Sequence, residues 1–181
     1  VKVEPGDIVF DVGASIGRTS VSFAREAGRK GIVVAVEVNP NTLVCLKANV
    51  ALRGELSNIR IVEKGAYNYK GTLNFDMVRS RGGSSIIRGG RTPLPVDTLD
   101  NIASDLGIKE IDFLKMDIEG AEIEALEGAK EVLKTVKKVV IAAYHVRDGE
   151  KTSTRIKSIL EKYGFKVQVS PTHIVHAWKK P

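Results

Sequence analysis

The residues of this chain best placed to do chemistry are a glycine-rich loop, a few acids and one histidine. In Asp11-Val12-Gly13-Ala14-Ser15-Ile16-Gly17 the loop falls where a strand-like run gives way to a helix. Gly13 and Gly17 lack a Cβ, so the backbone can turn sharply and a ligand can approach it closely. Unpaired N–H groups and the positive end of the following helix would attract an anionic group there. Glu37 lies 20 positions after Gly17, at the end of the second strand-like run. A carboxylate in that position can accept hydrogen bonds from both hydroxyls of a ribose. Together these residues form a nucleoside-binding half-site. The loop lacks the middle glycine of Gly-x-Gly-x-x-Gly, so it suits a ligand without a pyrophosphate better than a nicotinamide dinucleotide.

Three further residues are candidates for catalysis. Asp117 follows the fourth core strand, on the same rim as Asp11 and Glu37, where it could orient an amino group or take a proton; Glu119 lies just beyond it. Helix capping is the competing reading for both. His145 follows the fifth core strand on that rim and is the first choice for a general base, against a plain surface histidine. His173 and His176 are three apart in a strand-like run, point to opposite faces and form no ligand pair. With no His/Cys cluster, no metal is assigned.

The elements that must position these residues are legible from periodicity. Runs from Ile8 to Val12, Ile32 to Val38 and Ile59 to Glu63 alternate with helical segments from Thr19 to Ala27 and Thr42 to Leu52, a βαβαβ order. Their apolar faces suit a parallel sheet covered on both sides, so the fold class is α/β, doubly wound. A second half repeats the pattern with a strand from Ile111 to Met116, one helix from Ala121 to Leu133 and a strand from Lys138 to Ala143. Ile156, Ile159, Leu160 and Tyr163 mark a last helix ended by Gly164. Phe165 to Val169 and Ile174 to Trp178 then predict a terminal antiparallel hairpin. Between the halves lie a short hairpin expected around Gly71 and a Gly/Arg-rich loop, Arg79 to Arg91. That loop reads either as an anion-binding lid or as solvated chain.

Several segments taken together resemble one known family. They are Phe10-Asp11-Val12-Gly13-Ala14, Val36-Glu37, Asn39-Pro40, and Val96-Asp97-Thr98-Leu99 followed by Leu114-Lys115-Met116-Asp117-Ile118-Glu119-Gly120-Ala121-Glu122. This pattern resembles the FkbM family of methyltransferases over roughly residues 5 to 145. The resemblance implies a Rossmann-like class I methyltransferase fold, a seven-stranded doubly wound sheet whose C-terminal strand is reversed. It implies S-adenosylmethionine as cofactor and S-adenosylhomocysteine as product. Asp11 and the loop residues Gly13, Ala14, Ser15 and Gly17 would hold the methionine part, Glu37 the ribose, and the turn at Lys64-Gly65-Ala66 would border the adenine, with Val38 also cofactor-binding and Asp117 at the reacting end. The implied reaction is O-methylation of a small-molecule or sugar hydroxyl, although the acceptor does not transfer between members.

Composition bounds the rest. The chain has 181 residues and 43% hydrophobic content, enough for one core and too little for two ordinary domains. A single methyltransferase domain over residues 1–181 is expected, with an N-terminal segment outside this sequence compatible with the immediate start of the first strand. No apolar run approaches the roughly 20 residues that span a bilayer, so a cytoplasmic protein without membrane contact is expected. Cys45, the only cysteine, sits among Leu43, Val44 and Leu46 and reads as a core thiol. The net charge of +6 and the Arg/Gly loop leave an RNA methyltransferase open as an alternative. No recognisable RNA-binding module accompanies them, and at 6% aromatics no stacking platform is evident. A non-catalytic cofactor-binding interaction domain is a third class. Gly13-Ala14-Ser15-Ile16-Gly17 also satisfies the Gly-x-Ser-x-Gly elbow of α/β-hydrolases. Only 12 residues precede it, too few for the strands such an elbow requires.

Overall fold

β-branched runs that are apolar on both faces form the centre of a parallel sheet in a computed structural model describing residues 1–54, 56–75 and 90–179. β1 (Ile8–Val12) leads through α1 (Arg18–Ala27) to β2 (Ile32–Val36), and α2 (Pro40–Ala51) leads on to β3 (Ile59–Val62). Next come β4 (Gly65–Ala66), β5 (Gly71–Phe75), β6 (Thr92–Asp97), α3 (Leu99–Asp105) and β7 (Phe113–Met116). The second half continues with α4 (Glu122–Glu127), α5 (Lys130–Thr135), β8 (Lys138–Ala142), β9 (Val146–Arg147) and β10 (Glu150–Lys151). It closes with α6 (Thr152–Lys162), β11 (Lys166–Val169) and β12 (Ile174–Trp178).

Seven of these strands form one sheet in the order β11-β12-β8-β7-β1-β2-β3. β12 runs antiparallel to both its neighbours, while β3, β2, β1, β7 and β8 are parallel. This is the expected doubly wound sheet with one reversed strand. The chain winds outward from β1 to β3 and restarts on the other side of β1 with β7, so the carboxyl ends of β1, β2 and β7 surround the switch point where open α/β sheets bind ligands. Phe10, Leu114, Met116 and Ile141 from the central strands have no exposed surface and pack with Leu126, Leu133, Ile156 and Leu160 from the helices. Each such side chain contributes roughly 1.5–3 kcal/mol by leaving water. Among the described residues no helix is long and apolar enough to cross a membrane.

The structure departs from the periodicity reading in several places. β2 stops at Val36, so Glu37 begins the connection to α2. The single helix expected from Ala121 to Leu133 is two, α4 and α5, broken at Gly128. A Cβ on Gly128 would stand 2.2 Å from the Tyr67 carbonyl oxygen, and the Asp100 carboxylate caps the new start through the N–H groups of Glu131 and Val132 (2.9–3.0 Å). Gly71 is not the centre of a tight hairpin. It opens β5, whose antiparallel partner is β6 in a separate sheet ordered β4-β6-β5. His173 is in the turn before β12, with φ 59°, instead of in the strand. Cys45 is exposed rather than buried, because α2 turns Leu43 and Leu46 to the sheet and Val44 and Cys45 to solvent. Of the Gly/Arg-rich loop, Arg79, Arg81 and Arg88 lie outside the described residues, so the lid reading has no structural description.

Candidate functional site

A cleft opens at the switch point, lined by Gly13 and Ser15 of the glycine loop, Glu37 and Val38 after β2, Gly65 and Ala66 of β4, and Asp117 and Glu119 after β7. Lys64, Phe75 and Leu94 add one cation and an apolar wall. Eight of the residues singled out from the sequence therefore border one space. Asp11, Ala14, Gly17 and His145 do not line it.

The loop is held by the sheet more than it is open to a ligand. The N–H groups of Gly13 and Ala14 both donate to the Val36 carbonyl (2.9 and 3.0 Å), that of Gly17 to the Ala14 carbonyl (2.9 Å), and that of Ser15 to Glu37 Oε2 (2.7 Å). The expectation of unpaired loop N–H groups is thus corrected for these four. By helix geometry the first turn of α1, at Arg18, Thr19 and Ser20, has no intrahelical acceptor for its N–H groups. The glycines also answer to packing. A Cβ on Gly13, at φ 79°, would lie 1.9 Å from the Asp117 carbonyl oxygen, and one on Gly17 would lie 2.6 Å from Leu46 Cδ1. Their absence lets β7 leave the sheet beside the loop and lets α2 pack against it.

Asp11 has no exposed surface. Its Oδ2 accepts the Ser20 hydroxyl (2.6 Å), and the Lys115 ammonium stands 3.0 Å from Oδ1 as an ionic contact while donating a hydrogen bond to the Gly13 carbonyl (2.9 Å). Asp11 and Lys115 face each other in register on β1 and β7. Asp11 therefore anchors the loop from beneath. Lys115 was not singled out as a site residue, and the signal for it was an ammonium inside an apolar strand, which calls for a buried partner.

Glu37 joins the glycine loop to the start of α2. Its Oε1 accepts the N–H groups of Val38 (2.9 Å) and Asn39 (2.8 Å), and its Oε2 that of Ser15. Asn39 caps α2 through the Asn41 N–H, and Pro40 occupies the first helical position, where its missing donor costs nothing. Three of a carboxylate's roughly four lone-pair positions are filled, which leaves Glu37 one for a hydroxyl in the cleft. Asp97, from the Val96-Asp97-Thr98-Leu99 segment, is scaffolding. Burial would raise its carboxyl, but hydrogen bonds from Lys64 (2.8 Å), Asn101 (2.8 Å) and the Thr98 N–H (2.9 Å) hold it below the usual carboxylate range.

The other half lies at the ends of β7 and β8. Asp117 donates its N–H to the Val12 carbonyl (3.0 Å), and its Oδ1 accepts a long hydrogen bond from the Tyr144 hydroxyl (3.4 Å). Burial and the nearby Asp117 and Glu119 carboxylates push the Tyr144 phenol up to about 12, so it keeps its proton and acts as a donor. The Tyr144 ring lies against the His145 imidazole with centroids 4.5 Å apart. His145 Nε2 is 3.4 Å from Glu119 Oε2, so the histidine, which does not line the cleft, adjoins it through Glu119, which does. Glu119 adopts φ 56°, in the left-handed region that non-glycine residues rarely occupy. Tyr144 escaped the sequence reading because an aromatic at a strand end resembles core.

Comparison with known proteins agrees with this geometry. The methyltransferase FkbM domain family matches residues 11–167. Methyltransferase sdnD of Sordaria araneosa is 27% identical, over 88% of this chain and 73% of that protein. The 31-O-demethyl-FK506 methyltransferase FkbM of Streptomyces tacrolimicus is 24% identical, over 92% of this chain and 75% of that protein. The crystal structure of methyltransferase FkbM from Methylobacillus flagellatus KT superposes with a TM-score of 0.73 at 20% identity, covering 98% of this chain and 45% of that one. This chain thus spans less than half the length of that solved relative. The match over most of its length, on a sheet of the expected order, shows that the chain belongs to the FkbM family of S-adenosylmethionine-dependent methyltransferases.

Proposed function

We propose that this chain methylates a hydroxyl of a small molecule or sugar, with S-adenosylmethionine bound in the switch-point cleft. The observation that carries the reading is the meeting in one cleft of Glu37, latched to the glycine loop, and Asp117, with the Glu119–His145 pair adjoining. The name of the Streptomyces tacrolimicus relative, which gives an O-demethyl compound as what it methylates, supports an oxygen acceptor.

The residues present fit the cofactor. Glu37 has a lone-pair position for a ribose hydroxyl, and Val38, Ala66, Phe75 and Leu94 offer an apolar wall to a purine. The N–H groups at the start of α1 suit a carboxylate, and Asp117 suits an ammonium. When bound, the cofactor supplies a methyl group on a sulfonium, already activated for in-line displacement. The chain then needs mainly to align the acceptor and remove its proton. His145 takes that proton at Nε2, Glu119 steadies the resulting cation, and Asp117, held by Tyr144, orients the reacting groups.

Calorimetric titration with S-adenosylhomocysteine, with NAD as control, tests the cofactor site in the parent chain and in Glu37→Gln. Binding that the substitution weakens at least about tenfold, with none for NAD, supports the assignment, since charged hydrogen bonds are worth about 1.5–3 kcal/mol. Equal affinity in both chains, or binding of NAD, would overturn it. Transfer of labelled methyl to a panel of saccharides and small hydroxylated compounds then tests the acceptor class. Label on amines alone would sink the hydroxyl reading.

A further inference from the structure

The segment between β8 and α6 carries His145 and then folds into a hairpin that stands apart from the main sheet. β9 and β10 pair at two positions only, Arg147 with Glu150 and Val146 with Lys151, about a turn in which Asp148 and Gly149 take positive φ (53° and 81°). A two-stranded hairpin is marginal in water unless it packs against something. Val146, its only apolar side chain, is 62% exposed, so apolar burial does not supply that support.

Polar anchors supply it instead. The Thr152 N–H donates to the His145 carbonyl (2.9 Å), and the Lys151 ammonium to the Tyr144 carbonyl (2.8 Å). Both bonds close the hairpin on its own base. A further anchor reaches a different element. The Arg147 guanidinium donates to the Glu124 carboxylate of α4 through both of its arms, Nη2 to Oε1 at 2.6 Å and Nη1 to Oε2 at 3.0 Å. Glu124 is buried, and a two-armed pair of this kind fixes orientation as well as distance.

This anchor joins the two segments that bring Glu119 and His145 together. Glu119 is in the turn that leads into α4, five residues before Glu124, and His145 is at the root of the hairpin, two residues before Arg147. The imidazole faces that turn, with Cδ2 3.7 Å from where a Cβ on Gly120 would stand and Nε2 3.4 Å from Glu119 Oε2. We propose that Arg147 is a positioning residue: by clamping the hairpin to Glu124 it sets the place of the His145 ring over the turn that carries Glu119. Its part in catalysis rests on the methyl-transfer reading above, in which His145 takes the acceptor proton.

The neighbouring ion pair does not share this role. Arg155 approaches Glu127 at 3.6 Å, with both side chains far more open to water, and it ties α6 to α4, leaving the hairpin aside. Contacts between such exposed groups are worth little. The Arg147 pair differs because losing one partner strands a charge where water is scarce.

The test compares two variants of the full chain with the parent. Arg147→Met removes the clamp. Glu124→Leu combined with Arg147→Met removes it without leaving a buried charge unpaired, so the chain keeps its fold even where the single substitution does not. In the parent, the nuclear Overhauser spectrum should show a cross-peak between the Gly120 Hα and the His145 Hδ2. Both variants should weaken it, and Arg155→Met should not. A parent without the cross-peak, or either variant with the peak at full strength, would overturn the proposal, since packing alone would then place the ring. This readout needs neither methyl donor nor acceptor, so it fails or succeeds apart from the functional reading. On an acceptor found in the labelling panel, both variants should lower kcat by about tenfold or more, given that a misplacement of about 1 Å can cost on the order of a hundredfold. Affinity for S-adenosylhomocysteine should stay unchanged, and a parallel fall in both would refute the positioning role.

Discussion

The two ends of the cleft are built on different terms. At the end proposed for the cofactor, Glu37 holds three backbone N–H groups, four N–H groups of the glycine loop have acceptors, and Asp11 is held by Ser20 and Lys115. At the end proposed for the acceptor, Glu119 sits in a disfavoured backbone region, and Glu122 and His145 each keep a buried polar atom without a hydrogen-bond partner among the described residues. A recognition surface gains from being preorganised and fully paired, because nothing must be reordered when the ligand arrives. A reacting surface needs polar groups still able to accept or give a proton. Both ends hold a non-glycine residue at positive φ, Ser15 at 52° and Glu119 at 56°, and Asp11 Oδ1 is buried without a hydrogen bond as well; the difference is that Asp11 Oδ1 faces the Lys115 ammonium at 3.0 Å.

Substitutions can break or sharpen this contrast. The largest effect is expected from Gly13→Ala, which drives a methyl group into the Asp117 carbonyl and joins the two ends by a clash. A cost of at least about 3 kcal/mol in urea unfolding and loss of S-adenosylhomocysteine binding are expected. Retained binding would mean that the loop gives way and is not the rigid end. Next is Lys115→Met, which leaves Asp11 buried without its cation and should cost about 3 kcal/mol, the lower end for breaking a buried pair. A neutral result would show that Ser20 alone satisfies Asp11. Asp100→Ala removes the cap on α5, away from both ends, and should cost about 1 kcal/mol with cofactor affinity intact. An affinity change there would spoil the division into independent regions.

The smallest effect concerns pH. The Tyr144 phenol is raised in the folded chain from 10.0 to about 12. A raised pKa favours the protonated form, so its stabilising contribution is complete below pH 10 and fades as pH climbs through about 12. Ultraviolet titration of the folded chain should show one of its four tyrosines ionising near pH 12, and Tyr144→Phe should remove that step. Ionisation of all four near pH 10 would mean that the acceptor end is more open to water than its packing implies.

Much of the fold was legible from periodicity. β1 and β12 have the bounds that their apolar runs predict, and the reversed last strand follows from the hairpin at the C-terminus. The errors have one character. Helix α4 was read as continuous because Ile123, Leu126, Ala129 and Leu133 do share a buried face, yet the Tyr67 backbone crosses at Gly128 and stops it. Cys45 was read as core from its neighbours in sequence, but a helix one residue on presents another face. Within the site, Glu37 and Asp117 were found by type and spacing. Glu122 lay inside a quoted motif without a role, because the Ile118 and Gly120 N–H groups that it accepts converge on it only once the turn before α4 has formed.

By itself the sequence determined the alternation of strands and helices, the glycine loop and the acid after β2, since these rest on local periodicity and backbone conformation. Only the tertiary structure decided that Asp11 anchors the loop through Lys115, that β5 pairs with β6, and that Glu122 and His145 meet at Gly120. Such assignments depend on which distant segments share a water-excluded space. There a charge or N–H group must find its partner among whatever the fold brings within about 3 Å, and spacing along the chain carries no record of that choice.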